Sequence, residues 1–144
     1  MNSILVPRRS SEERTKNHIV AIQKQIQQYI KNGSIGNLDL IGAPITSLPN
    51  NLKIVNGSLY LTRSKITKLP SGLIVNGDLY LVNTKIISLP NNLTIKGDLI
   101  LDNTPIASLP NNLIVGEDLY LDNTPLSRNS GLLNHYKTKY KITS

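Results

Sequence analysis

The segment LYLVNTKIISLPNNLTIKGD, residues 79–98, runs directly into LILDNTPIASLPNNLIVGED, residues 99–118, and the two superimpose column by column. The Leu-x-Leu step that opens each recurs at Leu38/Leu40, Leu59/Leu61, Leu79/Leu81, Leu99/Leu101 and Leu119/Leu121, with spacings of 21, 20, 20 and 20 residues. A unit this short cannot bury its own apolar face, so successive copies must stack side by side and cover one another. The period therefore predicts a mainly β repeat solenoid with a parallel sheet.

Counted from the first Leu, the apolar columns are 1, 3, 8, 11, 15 and 17, as in Leu79, Leu81, Ile86, Leu89, Leu93 and Ile95. These six point inward. Spacing of two around columns 15, 17, 1 and 3 is the spacing of a strand, so each coil holds one extended segment at Leu-x-Leu and another at Leu-x-Val/Ile. Gly57, Gly77 and Gly97 fall between the two at inward parity, where a corner leaves little room for a side chain. Pro49, Pro70, Pro90 and Pro110 follow an inward Leu and precede Asn-Asn or Ser-Gly, a turn signal that places an irregular arc, without helix, opposite the sheet. Two departures carry expectations. The extra residue between Leu52 and Gly57 predicts a bulge near Lys53 and Ile54. Glu117 replaces a corner glycine, and because an unpaired buried carboxylate is expensive, the corner is expected to shift by one residue to expose it.

The open ends of such a stack need covering. Ser10-Ser11-Glu12-Glu13 reads as an N-cap, and Ile19, Ile22, Ile26, Tyr29 and Ile30 then recur at helical spacing until Asn32-Gly33, which predicts a capping helix over about 11–31. After Leu126 the repeat stops. Leu132, Leu133, Tyr136, Tyr140 and Ile142 are dense enough to cap the last coil, as a short helix or as a final strand. The organisation expected is an N-terminal arm and capping helix over 1–33, a solenoid of about five turns over 34–126, and a C-terminal cap over 127–144.

Residues 69–86 and 89–106 match the wording Leu-Pro-x-x-Leu-x-Val-x-Gly-Asp-Leu-x-Leu-x-x-Thr-x-Ile almost throughout. This resembles the leucine-rich repeats of bacterial and bacteriophage proteins, and is distantly similar to the YopM and IpaH types. The resemblance implies a right-handed coil used as a protein-binding surface. It also implies, by analogy with phage-borne repeats, a binder or inhibitor of a host protein, placed in the host cytoplasm. The catalytic Cys of the IpaH-type ligases has no counterpart in a chain without cysteine, so ligase activity is not implied.

Composition bears on the rest. Aromatic residues are 4% of the chain, all Tyr, so the interior is built from Leu, Ile and Val in thin layers. Without cysteine there are no disulfides, thiolate metal sites or thiol nucleophiles, which fits a reducing, cytoplasmic setting. The apolar stretch before Pro7 is too short for a signal-peptide core, and no segment approaches the ~18 apolar residues of a membrane span. The formal charge of +7 is unevenly spread: six basic against two acidic residues lie before Leu38, and four basic with no acidic residue lie from Leu126 onward. The repeats between are near neutral.

The middle residue of each Leu-x-Leu points outward, giving the row Asp39, Tyr60, Tyr80, Ile100, Tyr120, flanked by Ser58, Asp78, Asp98, Asp118 on one side and Thr62, Val82, Asp102, Asp122 on the other. As a recognition surface this strip would offer rigid rings among polar neighbours to a protein partner. As a structural device its Tyr and Ile rows would stabilise the sheet and its Asp row would hydrogen-bond corner amides. Like charges stacked at Asp98/Asp118 and Asp102/Asp122 favour recognition, because stacking them costs stability.

The alternative site is a phosphate contact through Arg8, Arg9, Arg14 and Lys16 at one end and Lys137, Lys139 and Lys141 at the other, which would make the chain a nucleic-acid-associated protein. These clusters lack an aromatic stacking platform and lie at opposite ends. Asn83, Asn103, Asn123 and Thr84, Thr104, Thr124 form polar columns suited to pairing backbone groups where the strand turns away. The Asp spacing is not that of a repeat calcium site, and His18 and His135 lack partners at meaningful spacing, so no metal, cofactor or catalysis is expected. The remaining reading is a structural accessory subunit of a larger assembly. The sequence favours a non-enzymatic protein-binding module without membrane attachment and leaves its oligomeric state open.

Overall fold

A computed structural model describes residues 10–143 of the 144-residue chain. Helix α1 (Ser11–Lys31) opens it, and ten short strands follow: β1 (Leu38–Asp39), β2 (Ile54–Val55), β3 (Leu59–Tyr60), β4 (Ile74–Val75), β5 (Leu79–Tyr80), β6 (Thr94–Ile95), β7 (Leu99–Ile100), β8 (Ile114–Val115), β9 (Asp118–Tyr120) and β10 (Lys141–Thr143). Helix α2 (Ser130–Lys137) precedes β10. The strands form two parallel sheets, one in the order β1-β3-β5-β7-β9-β10 and the other in the order β2-β4-β6-β8. Register runs Leu on Leu down the first sheet, from Leu38↔Leu59 to Leu99↔Leu119. The result is a repeat-like solenoid, each coil contributing one strand to each sheet.

The inward columns make one core. Leu59, Leu61, Ile66, Leu73, Val75, Leu79, Leu81, Ile86, Leu93, Ile95, Leu99, Leu101 and Ile106 are all 0% exposed, as stacking requires when a coil is covered on both sides. Behind each strand of the first sheet the chain leaves through a left-handed residue, in the column Gly42, Arg63, Asn83, Asn103 and Asn123, with φ between 56 and 69°. Asparagine tolerates that region best after glycine. The next column is buried and polar: the Thr84, Thr104 and Thr124 hydroxyls donate to the carbonyls of Leu81, Leu101 and Leu121 at 2.7–2.8 Å. Each turn thus supplies the partner its own backbone lacks.

The corner glycines hold the coils together. A Cβ on Gly77 would stand 2.8 Å from the Gly57 carbonyl carbon and the Ser58 nitrogen. The corner accordingly stacks backbone on backbone, with Gly77 N–H donating to the Gly57 carbonyl at 2.8 Å. Both departures from the repeat resolve without changing register. The ladder is continuous through Ile54↔Ile74 and Val55↔Val75, and the Lys53 carbonyl accepts from Ile74 N–H, so the extra residue is absorbed in the turn ahead of β2 and no bulge interrupts the strand. At the other departure Gly116 N–H donates to Ile95 and Glu117 N–H to Gly97, the straight register, so the expected shift does not occur. Glu117 is nonetheless exposed, because the four-stranded sheet ends at β8.

The caps pair the backbone groups that the end coils leave open. In each parallel pair a strand both donates to and accepts from its neighbour, and Leu59 N–H to Asp78 and Thr94 N–H to Leu73 are among these bonds. The outer edge of each end coil therefore leaves both N–H and C=O groups without a partner in the repeats.

Both caps match this demand. On the N-terminal side the Gln25 amide donates to the Asp39 carbonyl at 3.4 Å, while the Ser34 carbonyl accepts from Asn56 N–H at 2.9 Å. The Ser10 hydroxyl starts α1 by accepting from Glu13 N–H, and Ile22 and Ile26 bury its inner face. At the C-terminal side the cap is both a helix and a strand, and each half has a task. Strand β10 extends the six-stranded sheet beyond the last repeat, with Lys141↔Asp118, Ile142↔Leu119 and Thr143↔Tyr120. Helix α2 and the turn after it supply donors to the last coil: Tyr140 hydroxyl to the Leu113 carbonyl at 2.8 Å, Tyr136 hydroxyl to the Leu109 carbonyl at 3.2 Å, and Lys139 Nζ to the Asn111 carbonyl at 2.7 Å. Among the described residues, no helix is long and apolar enough to cross a membrane.

Candidate functional site

The strands of the six-stranded sheet carry the outward row in the expected register: Asp39, Tyr60, Tyr80, Ile100 and Tyr120 are successive partners. Thr143 extends the row by one, to about 24 Å over five strand spacings. Tyr60, Tyr80, Ile100 and Tyr120 are half-buried. The Tyr60 and Tyr80 rings stack with centroids 4.9 Å apart and planes 8° from parallel. Ile100 interrupts the aromatic run, leaving Tyr120 separate.

One flank is a hydrogen-bonded ladder. Ser58 N–H donates to Asn37 Oδ1 at 2.8 Å, Asp78 N–H to Ser58 Oγ at 3.0 Å, Asp98 N–H to Asp78 Oδ1 at 2.7 Å, and Asp118 N–H to Asp98 Oδ1 at 2.9 Å. The carboxylates thus pair strand-start amides, as the structural reading of this row expects, with one oxygen each. The second oxygen of Asp78 accepts from the Tyr80 hydroxyl at 3.3 Å, and Asp118 has Lys141 Nζ at 3.5 Å. On the other flank Asp122 N–H donates to Asp102 Oδ1 at 2.8 Å. Burial, followed by the Asp122 charge, raises the Asp102 carboxyl above its ordinary value. Burial first, then neighbouring carboxylates, also raises the Tyr80 and Tyr120 hydroxyls, so both rings stay neutral and able to donate.

The structure adds two residues that the sequence reading leaves out of the strip. Ile41, 53% exposed, precedes Gly42 in the column of Thr62, Val82, Asp102 and Asp122 and gives that flank an apolar end. Lys141 closes the other flank beyond Asp118. Ile41 was available from the alignment of the first coil, whereas Lys141 belongs to no repeat and became part of the sheet only through β10.

The basic clusters stay apart. Arg14 and Lys16 lie exposed on α1, and Lys137, Lys139 and Lys141 at the opposite cap, while Arg8 and Arg9 fall outside the described residues. Lys139 is engaged with the Asn111 carbonyl and lies 5.8 Å from the Tyr140 ring centroid, and Lys141 pairs with Asp118. Two of the three C-terminal lysines are therefore occupied within the chain. Among the described residues no group of three or more His, Asp or Glu side chains is placed to hold a metal ion. No protein-family model, no curated protein and no solved structure matches the chain.

Proposed function

We propose that the chain is a leucine-rich-repeat module that binds a protein partner through the six-stranded sheet face, without catalysis, and that Tyr60, Tyr80 and Tyr120 with Ile100 carry the contact. Asp78, Asp98, Asp118, Asp102 and Asp122 form its rim. The observation that carries this reading is the half-open row itself: large rings held at fixed spacing on a backbone ladder, on the outward side of strands whose inward leucines are buried. Ordered aromatic side chains lose little entropy on association, which is why they concentrate binding energy. The phage-type resemblance of the repeats extends the proposal to a binder or inhibitor of a host protein in the cytoplasm.

Capture from a lysate of the native host, with identification by mass spectrometry, tests it. The proposal expects one protein retained at moderate salt by the wild type and lost with Tyr60→Ala/Tyr80→Ala while the melting transition is kept. Equal retention by that variant would refute it. Retention governed by Arg14, Lys16 and Lys137, and abolished by nuclease, would support the nucleic-acid reading instead.

A further inference from the structure

The sheet face carries more charge than its ladder requires, and the repeat contains its own control. Neutral Asn37 and Ser58 accept the next coil's amide at 2.8 and 3.0 Å, the lengths at which Asp78 and Asp98 do so, 2.7 and 2.9 Å. A neutral acceptor therefore suffices to make that bond, and the later coils' negative charge is not required for it. On the opposite flank Ile41, Thr62 and Val82 occupy the column that Asp102 and Asp122 fill, so no carboxylate is needed there either. The charge is also one-sided along the stack. Beside the stacked Tyr60 and Tyr80 rings stand Thr62 and Val82, with Ile41 one coil back, and a single carboxylate, Asp78, on the other flank. The coils of Ile100 and Tyr120 have a carboxylate on both flanks, roughly 13 Å apart for residues four positions apart on extended backbone, and among the described residues only Asp118 of these four has a paired cation, Lys141 at 3.5 Å. Like charges on adjacent strands repel, and an approaching cation would relieve that repulsion.

We infer that the occupant of this face is a cationic segment of a protein, its Arg or Lys side chains lying over Ile100 and Tyr120 between Asp98/Asp118 and Asp102/Asp122, and its apolar side chains over Tyr60 and Tyr80. This rests on the proposal that the sheet face is the contact surface, and it names the chemistry of what binds there. Charge complementarity selects the occupant. A nucleic acid or an acidic peptide would meet repulsion at the carboxylate half, whereas Arg can pair with a carboxylate and lie flat on an aromatic ring at once. The rest of the molecule sharpens the selection. Six of the chain's nine acidic residues lie along this strip, whereas its excess of basic residues lies at the two ends.

Fluorescence anisotropy with a labelled eight-residue peptide of alternating Arg and Ser tests the inference, with an alternating Glu-Ser peptide as control. The wild type should bind the Arg-Ser peptide, more weakly at about 300 mM than at about 50 mM salt, and ignore the Glu-Ser peptide. Asp98→Asn/Asp102→Asn/Asp118→Asn/Asp122→Asn keeps every ladder acceptor and should weaken binding by at least about tenfold. Asp102→Asn/Asp122→Asn alone, in the column where Ile, Thr and Val already stand, should weaken it by roughly threefold and guards against a folding defect in the quadruple variant. Failure of the wild type to bind the Arg-Ser peptide, unchanged binding by both Asn variants, preference for the Glu-Ser peptide, or a self-dimer in sedimentation that the quadruple variant dissolves would overturn it. In the lysate capture, retention by the quadruple variant but not by Tyr60→Ala/Tyr80→Ala would overturn the cationic partner and leave the sheet-face proposal standing. Retention by both would overturn both.

Discussion

Replacing Tyr136 by Phe removes one oxygen from the protein, and the structure places that oxygen at a single task. The ring is 7% exposed and packs within 6.3 Å, centroid to centroid, of Tyr140, so Phe should keep the packing. The hydroxyl accepts from Leu109 N–H at 3.0 Å and donates to the Leu109 carbonyl at 3.2 Å, pairing both backbone groups of a buried residue in the last coil. Without it, both are left unpaired. An unsatisfied buried group costs about 1–3 kcal/mol, and water reaching the rim of the cap offsets part of two such costs, so the loss is about 2 kcal/mol. For a chain of this length that lowers Tm by about 6–8 °C. Thermal denaturation followed by circular dichroism reads the total, and hydrogen exchange at the Leu109 amide reads its location. The amide should lose protection in Tyr136→Phe while the Leu79 and Leu81 amides, one coil in, keep theirs. An unchanged melt together with unchanged Leu109 exchange would refute the argument that the cap works by pairing backbone groups that the end of the stack leaves open.

Gly77→Ala forces a Cβ to 2.8 Å from backbone atoms of the coil below and should destabilise by roughly 1–3 kcal/mol, whereas Gly42→Asn, at φ 69° with open space around it, should be nearly neutral; paired denaturant melts decide. Arg63 holds φ 58° in a column otherwise filled by Gly and Asn, so Arg63→Asn should stabilise by about 0.5–1 kcal/mol in the same assay, and a destabilised variant would contradict the strain. Asp102 has a raised carboxyl pKa, so the folded state holds its proton to higher pH than the unfolded state does. Stability should then fall as pH rises from about 3.8 through the raised value and stay lowered above it. Asp102→Asn keeps the acceptor for Asp122 N–H and should remove this component, gaining a few tenths of a kcal/mol at neutral pH, within the roughly 0.2–1 kcal/mol range of cross-strand pairs. Equal pH profiles for the two proteins would contradict it.

The parts of this architecture that repeat were legible in the chain, because each inward column is stated four or five times over. Leu79, Leu81, Ile86, Leu93 and Ile95 sit where their spacing places them, and the helix begins at Ser11 as the Ser10 cap requires. The parts stated once were harder. Tyr136 and Tyr140 read as apolar cover, but their hydroxyls matter as much as their rings, and that need arises from the backbone groups that the end of the stack leaves open, which no column displays. Glu117 shows the same limit: the expected shift rests on a straight register aiming this position inward, but the four-stranded sheet ends at β8 and leaves it exposed. For the candidate site, the row and its flanks followed from alternation alone. The Asn37, Ser58, Asp78, Asp98 series as a single ladder emerged only when side-chain oxygens were seen to reach the next coil's amides.

The most direct test of the central claim, the proposal that the six-stranded sheet face is where this protein meets a partner, is hydrogen–deuterium exchange of the wild type with and without the protein that it captures from a lysate. Slowed exchange should fall on residues 58–62, 78–82, 98–102 and 118–122, with the arc of Pro49, Pro70, Pro90 and Pro110 unchanged. Slowing confined to the two caps or to the proline arc would contradict it.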